Sequence, residues 1–197
     1  MSSDPQTLKV YGEKVADYVK VTEGAAKDPL LTAFIGGLAR GTRVLDLGCG
    51  PGFAAAEMAR AGLQVEATDA TPEMVALAAA HDGVNASLAT FDEISGENLY
   101  DGIWANFCLL HAPRADMPRH LAALRKALKP GGLFHIGLKT GTGEHRDKLG
   151  RLYTYYTETE LTGLLTAAGF TPFSSTTGCD KGLDGKMSDW AAIAAHG

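Results

Sequence analysis

Cysteine is scarce in this chain: three residues in 197, Cys49, Cys108 and Cys179, far apart in sequence. An odd, dispersed set excludes a disulfide framework and offers no C-x-x-C metal pair, so a reducing, cytoplasmic setting is expected and no metal site is. Basic residues are also in short supply, 18 Lys and Arg against 23 Asp and Glu, for a formal charge of −5. Binding a phosphate backbone takes clustered Lys and Arg that release counterions, so no nucleic-acid partner is expected. Long apolar runs are missing too. No stretch approaches the roughly 20 apolar residues that span a bilayer, and the polar start of the chain has no signal core, so neither membrane insertion nor export is expected.

What is present fits a globular domain: 45% hydrophobic residues and 21% charged ones. Residues 1–197 suffice for one α/β core, with little room for a second substrate domain. The chain is organised around Val44-Leu45-Asp46-Leu47-Gly48-Cys49-Gly50-Pro51-Gly52. An apolar run ends in three glycines, and an Ala-rich, helix-favouring segment starts at Phe53, which predicts a buried strand, a sharp loop and a helix N-terminus. Such a loop lets a ligand lie against backbone, with unpaired N–H groups behind it.

A dinucleotide fingerprint would place a third glycine where Phe53 stands, so the ring argues against a bound pyrophosphate. Asp46 would repel phosphate yet could accept hydrogen bonds from an ammonium. At these residues the chain resembles motif I of the class I S-adenosylmethionine-dependent methyltransferases. The likeness continues at Tyr100–Asn106 with the following Phe107-Cys108-Leu109-Leu110-His111, similar to motif IV of the small-molecule enzymes, and at Leu128-Lys129-Pro130-Gly131-Gly132. The (Asn/Asp)-Pro-Pro-(Tyr/Phe) signature of base- and glutamine-directed enzymes is lacking. Tellurite-resistance-type relatives share the pattern.

The alternation of strands and helices from Val44 onward predicts an α/β, doubly wound, Rossmann-like sheet. The resemblance implies seven strands, helices on both faces and an antiparallel last strand in a hairpin with its predecessor. Before the sheet, residues 1–40 should form a helical cap: one amphipathic helix over about 5–21 and a second opened by Asp28-Pro29. Residues 139–156, Gly-rich and without a clear period, are expected to be a substrate lid.

Asp69, at the end of the second strand, has two acceptor oxygens for a ribose, and Thr71-Pro72 should cap and start the next helix. Together with the resemblance, this assigns the S-adenosylmethionine site, with S-adenosylhomocysteine as product, to Asp46, Gly48, Cys49, Gly50, Gly52, Asp69, Ala70, Met74, Phe91, Asp92 and Asn106. Met74 would lie on the adenine face and Asp92 would accept from its amine, with Phe91 beside the ring. Tyr11, Tyr18, His111, His145, Arg146, Arg151 and Tyr153 are the candidate substrate contacts. His111 is also the candidate catalytic base, since an imidazole titrates near neutrality.

The expected chemistry is direct displacement of a methyl group onto a small molecule, the acceptor atom and the oligomeric state being left open. Two alternatives compete. An NAD-dependent oxidoreductase of Rossmann type would bind nicotinamide. A non-catalytic, methyltransferase-like regulatory protein would bind the cofactor without turnover.

Overall fold

A computed structural model of the chain describes residues 4–197; residues 1–3 of the expected cap lie outside the described residues. Three helices precede the sheet: α1 (Pro5–Glu13), α2 (Val15–Thr22) and α3 (Pro29–Gly36). Asp4 and Asp28 cap α1 and α3 by accepting the N–H of Thr7 and Leu30, each with Pro at the first helical position. The single helix expected over 5–21 is therefore two. Lys14 leaves helical geometry (φ −116°, ψ 27°) while its N–H closes the last turn of α1 onto Val10 and Tyr11.

From there strand and helix alternate: β1 (Arg43–Leu47), α4 (Phe53–Arg60), β2 (Gln64–Asp69), α5 (Pro72–Ala78), β3 (Val84–Leu88), β4 (Tyr100–Asn106), α6 (Met117–Ala127) and β5 (Leu128–Lys139). A short hairpin, β6 (Glu144–Arg146) and β7 (Leu152–Thr154), leads to α7 (Glu158–Ala167), β8 (Thr171–Lys181) and β9 (Met187–His196). The Thr157–Glu160 capping box forms at the start of α7 as the sequence predicts. Thr71 does not cap α5 with its side chain; its N–H donates to Asp69 at 2.8 Å.

Seven strands form one sheet in the order β3-β2-β1-β4-β5-β9-β8. β1 to β5 run parallel, and β9 lies antiparallel to both β5 and β8. The sheet and its antiparallel closing hairpin are those expected. The order reverses between β1 and β4, so the carboxyl ends of these strands open the crevice in which such sheets bind ligands.

Side-chain alternation divides the core in two. Leu45, Leu47, Ile103 and Ala105 enter a cluster with α6 and α7, whereas Val44 and Trp104 join Leu31, Phe34, Ala55 and Met58 on the other face. Each of the buried Val, Leu, Ile, Phe and Met side chains contributes about 1.5–3 kcal/mol. Asp46 and Asn106 stand one pleat beyond Val44 and Trp104, and so rise from the α3–α4 face at the open edge.

The 139–156 segment is more ordered than its composition suggests. β6 and β7 pair antiparallel, Arg151, Tyr153, Thr154 and Tyr156 are buried, and the segment docks on α1. Leu152 N–H donates to Thr7 Oγ1 at 2.9 Å and Arg146 Nη2 to Asp4 Oδ1 at 2.8 Å. Among the described residues no helix is long and apolar enough to cross a membrane.

Candidate functional site

The bend after β1 is shaped by close approach. Gly48 has φ +66°, and a Cβ there would lie 2.4 Å from Cys108 Cβ. Gly52 has φ +82°, and its Cβ would meet Ala78 Cα at 2.7 Å. Any side chain would separate the bend from the loop after β4 and separate α4 from α5. Gly52 thus supplies helix packing one position ahead of Phe53.

Two buried acids flank the bend, each 3% exposed. Asp46 Oδ2 has no hydrogen-bond partner among the described residues. Burial, reinforced by the charge of Asp69 and opposed by a backbone hydrogen bond from Ala55, pushes the Asp46 carboxyl up to about 7. Asp69 accepts Gly50 N–H at 3.0 Å and Thr71 N–H at 2.8 Å, which ties the end of β2 to the glycine bend. Burial raises its pKa as well, against those two bonds.

The sheet edge opens into a cavity of about 510 Å³ that Asp46, Gly48, Cys49 and Asn106 help to line. A second hollow, of about 10 Å³, holds Gly50, Asp69, Met74 and His111. Tyr11, Tyr18, Gly48 and Phe107 border both. The Tyr18 ring lies 3.1 Å from where a Gly50 Cβ would sit. Asp46 and the Asp69–Gly50 pair therefore belong to one edge, with the α2 tyrosine folded over the Asp69 end. The donor set suits an amino-acid nucleoside: an orphaned carboxylate oxygen for an ammonium, and a backbone-anchored carboxylate for ribose hydroxyls.

Behind this edge lies a closed chain of hydrogen bonds. His111, 1% exposed, meets the Leu152 carbonyl through Nδ1 at 2.6 Å, so Nδ1 carries the proton. Nε2 then accepts from Tyr11 OH at 2.8 Å, and the Tyr11 oxygen accepts from Arg151 Nη1 at 3.0 Å. Arg151, itself 1% exposed, pairs with Asp147 at 2.7 Å. Burial lowers the His111 pKa to about 3. This corrects the expectation that His111 accepts the substrate's proton: both ring nitrogens are engaged, and the buried ring stays neutral. Its effect is to hold Tyr11 at the cavity wall.

Three features of the cleft escaped the sequence reading. His135, buried in β5, stacks on Trp104 with ring centroids 3.7 Å apart. Burial takes its pKa down to about 3, so it is neutral, and its Nε2–H donates to Asn106 Oδ1 at 3.1 Å, leaving the Asn106 amide N–H groups free to turn toward the cavity. Phe107, directly after β4, has φ +54°, a conformation that opposes its side chain by about 1–2 kcal/mol. Its N–H donates to the Gly137 carbonyl at 2.8 Å, and its ring stands edge-on to Trp190. Lys139, at the end of β5, places Nζ 4.4 Å from the centre of the Tyr153 ring.

Other candidates lie outside both hollows. Asp92 is exposed and paired with Arg119 at 2.6 Å, while Phe91 is buried against His120. The short turn at 91–93 aims the acid at α6 rather than at the crevice. His145 is exposed and stacks on Tyr155, and Arg146 is spent on Asp4. Ala70 packs at the margin of the core, and Gly52 acts through packing. Tyr11, Tyr18, Arg151 and Tyr153 do line the cleft.

Comparison with known proteins agrees with this geometry. A family model described as a methyltransferase domain matches residues 44–132, from β1 into the start of β5. The ubiquinone biosynthesis O-methyltransferase of Xanthomonas oryzae is 36% identical over 104 residues, covering 49% of this chain and 42% of that protein. The chain thus matches less than half the length of these curated relatives. The 1,6-didemethyltoxoflavin-N1-methyltransferase of Burkholderia thailandensis, crystallised with 1,6-didemethyltoxoflavin and S-adenosylhomocysteine, superposes with a TM-score of 0.81 and 29% identity, over 98% of this chain and 87% of that one. Phosphoethanolamine N-methyltransferase 2 of Haemonchus contortus, in complex with S-adenosyl-L-methionine, shares the fold at 17% identity and a TM-score of 0.75, over 94% of this chain and 57% of that one. With the glycine bend, the paired acids and the strand order in place, residues 44–132 match a methyltransferase domain and the chain shares the fold of S-adenosylmethionine-dependent methyltransferases.

Proposed function

We propose that the protein transfers a methyl group from S-adenosylmethionine to a small-molecule acceptor held in the 510 Å³ cavity at the end of β4 and β5. The observation that carries this reading is Asp46, which lines that cavity beside the glycine bend and whose Oδ2 has no hydrogen-bond partner among the described residues. When bound, S-adenosylmethionine supplies a sulfonium-activated methyl group. Asp46 binds its ammonium, and Asp69 with the Gly50 backbone orients the ribose. Asn106, turned by His135, offers amide N–H groups to the amino-acid portion. Tyr11, locked between Arg151 and His111, is the wall against which the acceptor is aligned. Alignment of this kind is worth effective molarities on the order of 10⁵ M or more.

The relatives, a ubiquinone biosynthesis O-methyltransferase and a 1,6-didemethyltoxoflavin-N1-methyltransferase, support a small acceptor. The proposal takes residues 1–197 as one domain acting in the cytoplasm, consistent with three unpaired cysteines, and without a nucleic-acid or membrane partner. The test is incubation with methyl-labelled S-adenosylmethionine and a panel of phenols, N-heterocycles, amines and thiols. Label transfer with stoichiometric S-adenosylhomocysteine is expected. Binding of NADH in place of S-adenosylhomocysteine would contradict the reading, and cofactor binding without transfer to any class would leave a regulatory role.

A further inference from the structure

The acceptor half of the cleft combines aromatic rings with a half-buried lysine, and among the described residues no histidine there has a free nitrogen. Seven aromatic rings border the cavity, both tryptophans of the chain among them. Trp104 is fixed by its stack on His135, and Phe107 and Trp190 stand at 88° to each other with centroids 6.1 Å apart. These are flat, rigid walls, held by strand positions and by the left-handed backbone of Phe107. They match a planar ring system better than a flexible chain.

The charged groups lining the cavity are nearly all engaged. Asp28 caps α3, Asp46 faces the cofactor side, and Asp180 accepts from Trp190 Nε1 at 2.7 Å. Arg151 is neutralised by Asp147. Lys181 is exposed at the rim. Lys139 is different: it is half-buried at the carboxyl end of β5, has no ion pair within 4.0 Å among the described residues, and lies against the Tyr153 ring. Burial lowers its pKa, with Asp184 and Asp147 pulling the other way and Arg151 adding to the fall. A cation placed so is short of a counter-charge.

No imidazole with a free nitrogen meets an acceptor that arrives protonated. Both nitrogens of His111 are occupied within the protein, and no other histidine borders the larger cavity among the described residues. We propose that the acceptor is a planar aromatic or heteroaromatic acid, a phenol, enol or ring N–H that ionises near neutrality, bound as its anion with the charge on Lys139. An anionic oxygen or nitrogen then forms its bond to the methyl carbon as the carbon–sulfur bond breaks. The electron pair stays on sulfur, and no proton has to be removed in the cleft. This rests on the methyltransferase reading above and narrows its substrate.

The experiment uses the full chain saturated with S-adenosylhomocysteine and three probes of similar size: 7-hydroxycoumarin, its neutral isostere 7-methoxycoumarin, and the cation N-methylquinolinium. The expected result is at least tenfold tighter binding of 7-hydroxycoumarin than of either other probe, with the excitation band of the anion present in the complex. Lys139→Met should abolish the preference without altering S-adenosylhomocysteine affinity, and Lys139→Arg should keep most of it. Equal binding of the methoxy compound, a preference for the cation, a preference that survives Lys139→Met, or no binding of any probe to the saturated protein each overturns the proposal. Failure of S-adenosylhomocysteine itself to bind overturns the methyltransferase reading instead.

Discussion

Replacing Asp46 by Asn is expected to stabilise the ligand-free protein and to weaken cofactor binding in the same step. Burial raises the Asp46 carboxyl from 3.8 to about 7, so the native state keeps a proton that the unfolded chain gives up above pH 3.8. Because the folded value is the higher one, the stability this group contributes is complete below pH 3.8 and is lost as pH rises through 7. About three pH units at about 1.4 kcal/mol each make that loss about 4 kcal/mol at pH 7.5. Asn escapes it but puts an unpaired donor where Oδ2 stood, at a cost of about 1–3 kcal/mol. The net gain is therefore about 1–3 kcal/mol at pH 7.5, vanishing or reversing near pH 4, as urea denaturation at the two pH values would read. Binding moves the other way. Losing a charged hydrogen bond weakens S-adenosylhomocysteine roughly ten- to hundredfold. Calorimetry at pH 6 in buffers of different ionisation enthalpy supplies the decisive number: the wild type should release about 0.9 proton per ligand as Asp46 ionises against the ammonium, and the variant should lose that release. Unchanged affinity in the variant, or no proton release by the wild type, would refute the reasoning.

Tyr11→Phe leaves His111 Nε2 and one Arg151 N–H without partners, so stability should fall by about 1–3 kcal/mol and methyl transfer by tenfold or more; undiminished turnover would remove Tyr11 from acceptor alignment. Gly52→Ala forces a left-handed residue at φ +82° and a Cβ against Ala78 Cα, and should cost about 2–5 kcal/mol in denaturation experiments. His111 and His135 are held neutral with pKa values near 3, against 6.5 when unfolded, so the stability they confer is intact above pH 6.5 and is lost as pH falls toward 3. At pH 5 the loss is about 4 kcal/mol for the pair, of which Asp46 offsets about half by protonating in the native state over the same interval. His135→Gln should flatten the acid slope between pH 6.5 and 5; an unaltered slope would show that His135 is not buried neutral.

The sheet was legible because its signals are local. Apolar runs ending at Asp46, Asp69 and Asn106 mark strand ends, and glycine or Asp–Pro steps mark where helices begin and stop. The cofactor edge follows from the same signals, since acids at the carboxyl ends of parallel strands converge whatever the loops do. What escaped was set by contacts distant in sequence. Residues 144–154 form a hairpin because α1 supplies Asp4, Thr7 and Tyr11 to Arg146, Leu152 and Arg151, and no local period encodes that docking. Asp92 follows a strand, as Asp46 and Asp69 close theirs, but the turn after β3 gives it to Arg119. His111 reads as a titratable group in sequence and becomes a neutral strut once Leu152 and Tyr11 close around it. His135 was hidden inside a strand read for its hydrophobic pattern, and Lys139, read as the first residue of the Gly-rich segment, closes β5 instead.

In the proposed complex the carboxyl edge of the sheet receives S-adenosylmethionine with the α2 tyrosine displaced. A crystal structure of the protein with S-adenosylhomocysteine tests this most directly. The predicted result has the ammonium on Asp46 Oδ2, the ribose hydroxyls on Asp69, and the Tyr18 ring moved off Gly50 so that the two hollows join. Ligand bound elsewhere, or bound with Tyr18 still against Gly50 and Asp46 unpartnered, would contradict it.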